Sequence, residues 1–441
     1  MKLETNIKTQ GVFAIGNESK HSIAGSLEIN ELGVITLNGI HNLGLPNRGH
    51  INLIGETSEL GKVLLLDCFT NSASYNFSCE LAREEFLCNK LVCVEKEHQG
   101  YEIKTNKMTF EIEDLEIWIA TPILKDEIDN GNMKHTYILP KNERIVLDEN
   151  LDLVFTYNLN FSKGNFYEYS EVHSKAFAVF ESKKEMELDY FIKKGFELSN
   201  LISFSLDTVS TIKNSFYGEN QNNKVFYPTV NSTKKRKKIN LVNHLFTLRS
   251  AGERRIKIIN NWFLISEKIR PTISLYNQYK SKKYDYADAA FLSLSQAAEA
   301  LHRRTSDEKP MPTDEYSEKI RKIIERAGEE HKDFLDRNLS SRNEYSFRMR
   351  LELMLETLWS KEKIDEEKKK ITAIINARNF LTHYPKSRER KFYCKFDNEV
   401  SMHIFILENI IISNILYLLS KDKNWVMNII KNINITKPFD F

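Results

Sequence analysis

The stretch Leu151-Asp-Leu-Val-Phe-Thr-Tyr-Asn-Leu-Asn-Phe161 has the clearest periodicity in the first half of the chain. Its odd-numbered positions are leucine or aromatic, and most of the positions between them are Asp, Thr or Asn. An alternation of period two predicts a β-strand with one buried face and one face in water. The stretch Leu115-Glu-Ile-Trp-Ile119 alternates in the same way, so we predict a second strand there.

Towards the amino terminus, glycines separate a series of short apolar runs, at Gly25, Gly33, Gly39 and Gly44. Short runs with turn signals between them predict a largely antiparallel sheet or sandwich. A helix is predicted to interrupt this β-rich half, because six apolar residues recur at helical spacing. They are Leu188, Phe191, Ile192, Leu198, Leu201 and Ile202.

Between about residues 214 and 238 the chain contains Gly218, a cluster of Asn, Pro228 and the basic run Lys234-Lys-Arg-Lys-Lys238. The run is typical of a solvated linker, and a contact with an RNA backbone is the alternative. We predict a domain boundary here, with a β-rich domain over residues 1–235 and a helical domain over residues 236–441.

After this predicted boundary region the spacing of the apolar residues becomes helical and stays so to the end. Helices are predicted near residues 252–276, 285–304, 315–338, 344–359, 362–383, 398–419 and 424–432. Short connections between helices favour antiparallel neighbours and a bundle. The predicted fold class is therefore α+β with two domains, an antiparallel sheet or sandwich with an inserted helix followed by an all-α bundle.

Composition restricts the classes of function. A length of 441 residues favours two or three domains, and 41% hydrophobic with 28% charged residues is typical of globular proteins. Because the chain contains 63 Lys and Arg residues and 61 Asp and Glu residues, its formal charge is only +2. Any contact with RNA must therefore come from a local patch. Five cysteines form no CxxC pair, so neither a disulfide framework nor a metal site is expected.

The polar amino terminus is not followed by an apolar run of the secretory type, so we expect a cytoplasmic protein. The segment Val400–Leu419 is apolar enough to raise the question of a membrane span. Four polar residues interrupt it: His403, Glu408, Asn409 and Asn414. Because such groups are costly in lipid, we predict a buried helix of a bundle or dimer and no membrane.

The chemistry is suggested by Ile374-Ile-Asn-Ala-Arg-Asn-Phe-Leu-Thr-His-Tyr-Pro385, at the end of a long helical segment. Pro385 disfavours helical geometry at Tyr384, which places His383 on the last helical turn or just beyond it. On a regular helix Arg378 and His383 lie about 140° apart. The two side chains therefore converge only if the helix end departs from regular geometry or if a second subunit completes the site.

Arginine and histidine suit RNA cleavage without a metal. An unperturbed imidazole has a pKa of about 6.5 and can take or give a proton at neutral pH. A guanidinium stays charged and binds phosphate oxygens in a bidentate fork. Spacing alone does not decide the role, because a surface arginine followed by a helix-terminal histidine is also common.

Three passages give the sequence a family resemblance: Phe291-Leu-Ser-Leu-Ser-Gln-Ala-Ala-Glu-Ala-Leu-His-Arg-Arg304, Tyr345-Ser-Phe-Arg-Met-Arg-Leu-Glu352 and Ala377-Arg-Asn-Phe-Leu-Thr-His-Tyr384. In their order and separation they resemble the ApeA-type anti-phage defence proteins, whose helical half belongs to the HEPN superfamily. Gly25-Ser-Leu-Glu-Ile29 resembles the amino-terminal domain of the same family.

The resemblance implies a metal-independent endoribonuclease without a cofactor, which acts on RNA, with tRNA as the expected target, when infection is sensed. It implies Arg378 and His383 as the catalytic pair and Asn379 as their polar neighbour. It also implies a homo-oligomer in which two motifs face one cleft, a phage-encoded protein as trigger, and a β-rich domain that senses or restrains. Some related toxins modify a tyrosine two places after the histidine; Pro385 stands there, so that control is not expected.

The first family passage supplies a second group of candidates. Gln296, Glu299, His302 and Arg303 can share one side of a helix. In the functional interpretation Glu299 orients Arg378 or His383, while His302, Arg303 and Tyr384 contact RNA. A buried polar cluster or a surface ion pair is the alternative.

The competing function is a non-catalytic HEPN module for dimerisation or nucleotide binding, acting as a receptor for a phage protein. A receptor whose helical half only oligomerises is a third possibility. The presence of both Arg378 and His383 favours the nuclease. The β-rich half has no Gly-rich phosphate loop, nucleophile elbow or HExxH motif, so no chemistry is assigned to it.

Overall fold

A computed structural model gives the fold. It describes all residues except 2, 16–21, 43–48, 130–131, 163–170, 230–243, 282–283, 285, 340–341, 357–358, 367, 384–388 and 437–441. The chain forms two compact units, Met1–Ile256 and Lys257–Phe441.

The first unit begins with a closed antiparallel barrel. Its strands are β1 (Ile7–Ala14), β2 (Ser22–Ile29), β3 (Ile35–Asn42), β4 (Ile51–Thr57), β5 (Gly61–Asn76) and β6 (Leu81–Cys93). The hydrogen-bonded order is β6-β3-β2-β1-β4-β5, and β5 pairs with β6 to close the barrel. Phe13 and Ile23 fill the interior. Glycine is needed next to them on the neighbouring strands, because a Cβ at Gly55 would lie 2.2 Å from the Phe13 ring and one at Gly39 would lie 2.2 Å from Ile23.

A second antiparallel sheet follows in the same unit. Its order is β10-β11-β12-β7-β13. The strands are β7 (Lys104–Ile112), β10 (Glu143–Val146), β11 (Leu151–Ser162), β12 (Glu171–Glu187) and β13 (Ile212–Tyr217), with β8 (Leu124–Asp129) and β9 (Asn132–Tyr137) forming a separate hairpin. Helix α2 (Leu188–Ser205) packs on this sheet. The predicted strand at residues 151–161 and the predicted inserted helix are both confirmed, and so is the β-rich class of this half.

The predicted strand at residues 115–119 is wrong. Leu115–Ile119 is a short helix, α1, between Asp114 and Ala120, which both have positive φ angles. Leu115, Trp118 and Ile119 are its buried residues. Their spacing of three and four positions suits a helical turn, and over five residues it cannot be told apart from alternation.

The start of the predicted boundary region, residues 214–229, belongs to the fold of the first unit. Strand β13 ends at Tyr217, and β14 (Val225–Phe226) pairs with β6. Further on, the backbone N–H groups of Leu245 and Phe246 donate to the carbonyl of Ser205 at 2.8 and 3.2 Å. Through these contacts, and through α3 (Leu248–Ala251), the first unit continues to Ile256 rather than ending at residue 235. The basic run at residues 234–238 lies outside the described residues.

Every described element from Arg255 onward is a helix, which confirms the all-α class of the carboxy-terminal half. The helices are α4 (Arg255–Lys280), α5 (Ala287–Thr305), α6 (Thr313–Ala327), α7 (Glu329–Leu339), α8 (Phe347–Leu355), α9 (Lys361–Glu366), α10 (Lys368–His383), α11 (Glu389–Ser420) and α12 (Lys423–Thr436). The single helix predicted over residues 315–338 is divided at Gly328, where φ is +89°. Helix α11 packs against α5, α8, α10 and α12 and forms the centre of this unit.

Helix α11 contains the one described segment, Glu399–Ser420, that is long and apolar enough to cross a membrane. However, 72% of its apolar window is buried inside the protein. Glu408 accepts hydrogen bonds from Lys280 and Tyr279, and Asn414 donates to the carbonyl of Met354 at 3.1 Å. Glu408 and Asn414 thus have partners on other helices of the bundle, as expected for a buried helix.

Candidate active site

Helix α10 presents the arginine and histidine of the motif at the surface. Its apolar residues Ile374, Ala377 and Leu381 are buried and hold it in the bundle. The same packing leaves Asn379 and His383 exposed and Arg378 half-buried. Helix α10 continues through Arg378 to His383, and the Thr382 hydroxyl donates to the carbonyl of Arg378 at 2.7 Å.

The Arg378 guanidinium is held from several directions. Its Nη2 donates to Glu299 Oε2 at 3.1 Å and its Nη1 to Asn379 Oδ1 at 3.4 Å. Its central carbon lies 5.4 Å from the centre of the Phe347 ring. The side chain is still 30% exposed. Because a guanidinium has five N–H donors, these contacts fix its position and leave capacity for an anion.

His383 is the last residue of α10, in the position that the proline predicted. It lies about 140° around the helix from Arg378 but is the i+4 neighbour of Asn379, on the same face. Asn379 therefore touches Arg378 and shares a face with His383. No hydrogen bond joins His383 to another residue in the described part of the chain. Tyr384 lies outside that part.

Helix α5 contributes the carboxylate of the site. Glu299 accepts from Arg378 through one oxygen and from Arg303 Nη2 through the other, at 3.2 Å. Arg303 also lies 3.1 Å from Glu344, in the loop before α8. Gln296, on the same side of α5, is exposed. The structure thus brings Glu299, Arg303 and Arg378 into one cluster.

Sequence reasoning gave no role to Arg350 and Glu344, which extend this cluster. The Arg350 side chain is buried, with Nη2 at 3.3 Å from Glu344 and Nε donating to the carbonyl of Tyr345 at 3.0 Å. Its Nη1 lies 3.2 Å from His302 Nδ1. The sequence feature that could have identified Arg350 is its position on the apolar side of α8, beside Leu351 and Met354, which are also buried. A buried arginine requires partners.

His302 differs from the other candidates because it is buried. Burial lowers the pKa of its imidazole, and the positive charge of Arg350 lowers this pKa further. A guanidinium can only donate, so His302 Nδ1 accepts and the ring is neutral with its proton on Nε2. A neutral ring packed edge-on against Tyr345, at 5.8 Å between centroids, suits a structural contact better than a cationic contact with phosphate.

The cluster has three guanidinium groups, on Arg303, Arg350 and Arg378, and two carboxylates, on Glu299 and Glu344. Its local charge is therefore positive although the whole chain is nearly neutral. Arg303, which is exposed, and Arg378, which is half-buried, can together bind an anion. Among the residues that the structure describes, no group of three or more His, Cys, Asp or Glu is placed to hold a metal ion.

Comparison with known proteins gave two family matches. A family model described as ApeA N-terminal domain 1 matches residues 8–262, and one described as Apea-like HEPN matches residues 292–424. The second match contains every residue of the cluster as well as His383. Neither the curated proteins nor the solved structures gave a match.

Proposed function

The chain belongs to the ApeA family of anti-phage defence proteins and carries a C-terminal HEPN domain, and from this premise we propose that it is a metal-independent endoribonuclease. The observation that supports the proposal most strongly is the half-exposed Arg378, fixed by Glu299, on the same helix end as an exposed His383. We propose the cytoplasm as its location and tRNA as its substrate.

In the proposed reaction the ribose 2′-oxygen attacks the adjacent phosphorus and the bond from phosphorus to the 5′-oxygen breaks. A base takes the 2′-proton, and an acid gives a proton to the departing 5′-oxygen, which leaves a 2′,3′-cyclic phosphate and a 5′-hydroxyl. Arg378 binds the non-bridging oxygens and stabilises the charge that develops on them. His383 serves as the acid or the base, and Asn379 keeps Arg378 directed towards the phosphate.

A second copy of the chain completes this proposed site. Arg378 and His383 of one helix diverge by about 140°, so one α10 does not direct both groups to one phosphate. Two helical domains that face each other supply two arginines and two histidines to a shared cleft. One histidine can then act as base while the other acts as acid.

Purified full-length protein, incubated with total RNA and with tRNA, tests the proposal. Arg378→Ala and His383→Ala are each expected to lower the rate about 10²–10⁴-fold, because each removes a group that acts in the transition state. Arg270→Ala on α4 and His50→Ala in the first unit are matched controls, since both side chains are exposed and lie outside the cluster. Melting temperatures should barely change in all four variants.

Cleavage should persist in EDTA, and the cut ends should carry the cyclic phosphate. Full activity of His383→Ala would remove this mechanism, and loss of cleavage in EDTA would indicate a metal nuclease. RNA binding without cleavage by the wild-type protein would favour the non-catalytic module. For the β-rich unit we propose a sensor or brake that responds to a phage protein.

A further inference from the structure

Helices α6 and α7 form an antiparallel hairpin, here called the arm (residues 313–339). They are joined at Gly328, and the Tyr316 hydroxyl donates to the carbonyl of Leu339 at 2.6 Å. No side chain of α6 is buried, although the structure describes the whole helix. Ile323 is 40% exposed and Phe334 is 65% exposed. The arm therefore shows apolar surface that the described part of its own unit does not cover.

The exposed residues belong to an amphipathic pattern. On α6 the apolar residues recur at helical spacing: Tyr316, Ile320, Ile323, Ile324 and Ala327. Two helices alone bury only part of such a stripe, whereas four helices enclose it as the core of a bundle. A partner that adds two helices would therefore bury both Ile323 and Phe334.

The charges of the arm indicate the partner. The arm has eight acidic residues, Asp314, Glu315, Glu318, Glu325, Glu329, Glu330, Asp333 and Asp336. It has six basic residues, Lys319, Arg321, Lys322, Arg326, Lys332 and Arg337. A net negative helix pair is a poor ligand for RNA. Helix α6 instead has Asp314 and Glu315 in its first turn and Arg326 in its last turn, so in an antiparallel two-fold contact each acidic turn meets the basic turn of an identical helix.

We infer that the arm is the contact through which two copies of this chain associate, arm against arm, as a four-helix bundle. This inference rests on the proposed pairing of helical domains and names its surface. It concerns helices α6 and α7, which carry none of the proposed catalytic residues.

The base of the arm links this contact to the charged cluster. Met311 and Asn343 close the base with two hydrogen bonds, of 3.2 and 2.8 Å, and the Tyr345 hydroxyl donates to the carbonyl of Lys309 at 3.3 Å. Glu344, between Asn343 and Tyr345, is the carboxylate that holds Arg303 and Arg350. Fixing the arm against a second copy thus also fixes one of the two carboxylates of the cluster.

Sedimentation velocity of the full-length protein over a range of concentrations tests the inference. The wild-type mass should rise from one chain to two, and Phe334→Glu should weaken this association about thirtyfold or more, as expected for an aromatic side chain at the centre of an interface. Leu264→Glu is the matched control, because Leu264 on α4 is 74% exposed and lies outside the arm. It should associate like the wild type. Ile323→Glu should behave like Phe334→Glu, and circular dichroism checks that all variants are folded.

The outcomes separate this inference from the nuclease proposal. If folded Phe334→Glu and Ile323→Glu dimerise like the wild type, or if the wild type stays a single chain throughout, the arm contact is overturned. Weaker RNA binding by Phe334→Glu with unchanged association would show that the arm binds RNA, and this result would also overturn the arm contact. A wild-type dimer that loses its dimerisation in the arm variants but never cleaves RNA would support the arm and remove the nuclease instead.

Discussion

At the scale of single residues, Glu299 decides how the proposed site is arranged. One carboxylate oxygen accepts from Arg378 and the other from Arg303. All three side chains are partly exposed, and ion pairs of this kind contribute about 0–1 kcal/mol to folding. The contribution of Glu299 is therefore to the position of Arg378 rather than to stability.

The substitution Glu299→Gln tests whether Glu299 positions Arg378. The amide retains the shape but loses the charge and one acceptor oxygen, so Arg378 becomes less well placed. We expect cleavage to fall about 10–100-fold, as displacements of about an ångström can do, while the free energy of unfolding changes by less than about 1 kcal/mol. Glu143→Gln on β10 is the control, because Glu143 also binds a partly exposed arginine, Arg255, and lies outside the cluster and the arm. A faster Glu299→Gln protein would mean that Glu299 restrains Arg378 instead.

The neutral state of His302 predicts how stability depends on pH. Burial and Arg350 hold the pKa of the folded-state imidazole below its ordinary value of 6.5. Unfolding then takes up a proton at acidic pH, so this contribution to stability is complete above about pH 6.5 and is lost as the pH falls towards the folded-state pKa. The loss is at most about 1.4 kcal/mol per pH unit.

Urea unfolding of the wild type and of His302→Asn, at about pH 7.5 and about pH 5.5, measures this effect. Asn can still accept from Arg350 but does not titrate. The free energy of unfolding should therefore drop more in the wild type than in the variant. An equal drop in both proteins would show that His302 is not the group concerned.

At the scale of elements, periodicity over ten or more residues predicted whether a segment is helix or strand, and shorter patterns did not; the break of the 315–338 helix at Gly328 was not predicted. Strand β11 and helices α2 and α10 lie where the apolar spacing placed them. Leu115–Ile119 is too short for two turns of helix or a distinctive alternation, and its state is set by the positive φ angles beside it. The contact of Glu299 with Arg378 was predicted, because both residues stand in passages that resemble the family. The contact of Glu344 with Arg350 was not predicted, because it depends on the path of a loop, which the spacing of residues along the sequence does not specify.

Helices α4 and α11 are joined by an ion pair that predicts a large effect. Lys280 binds Glu408, and both side chains are nearly inaccessible to solvent. Lys280→Met leaves the carboxylate buried without its cation, so the free energy of unfolding should fall by about 3–5 kcal/mol. Adding Glu408→Leu should restore most of it, because two apolar side chains can replace a buried pair. Urea unfolding measures both, with Lys268→Met on the surface of α4 as control. A double variant no more stable than Lys280→Met would contradict this account.

At the scale of the whole molecule, the two family matches extend over residues of both units. The charge of the chain is nearly balanced. Length and the change of period predicted two domains of different class. They did not place the boundary, because the residues before Ile256 attach to the first unit through backbone hydrogen bonds, which side-chain patterns do not report. Balanced charge also means that the proposed RNA binding would depend on a few cations rather than on the overall charge of the protein.

A small number of phosphate contacts predicts a shallow salt dependence. Each contact with single-stranded RNA contributes about 0.7 to the slope of log affinity against log salt. Arg303→Ala, made in a His383→Ala background that leaves the RNA intact, should therefore reduce the slope by about 0.7. Arg321→Ala, which removes an arginine bound to Glu318 and Glu325 on the arm, should leave the slope unchanged. Fluorescence anisotropy with labelled RNA over a salt series gives both slopes. An unchanged slope for Arg303→Ala would exclude Arg303 from the phosphate contacts. A reduced slope for Arg321→Ala, with association unchanged in sedimentation velocity, would place RNA on the arm.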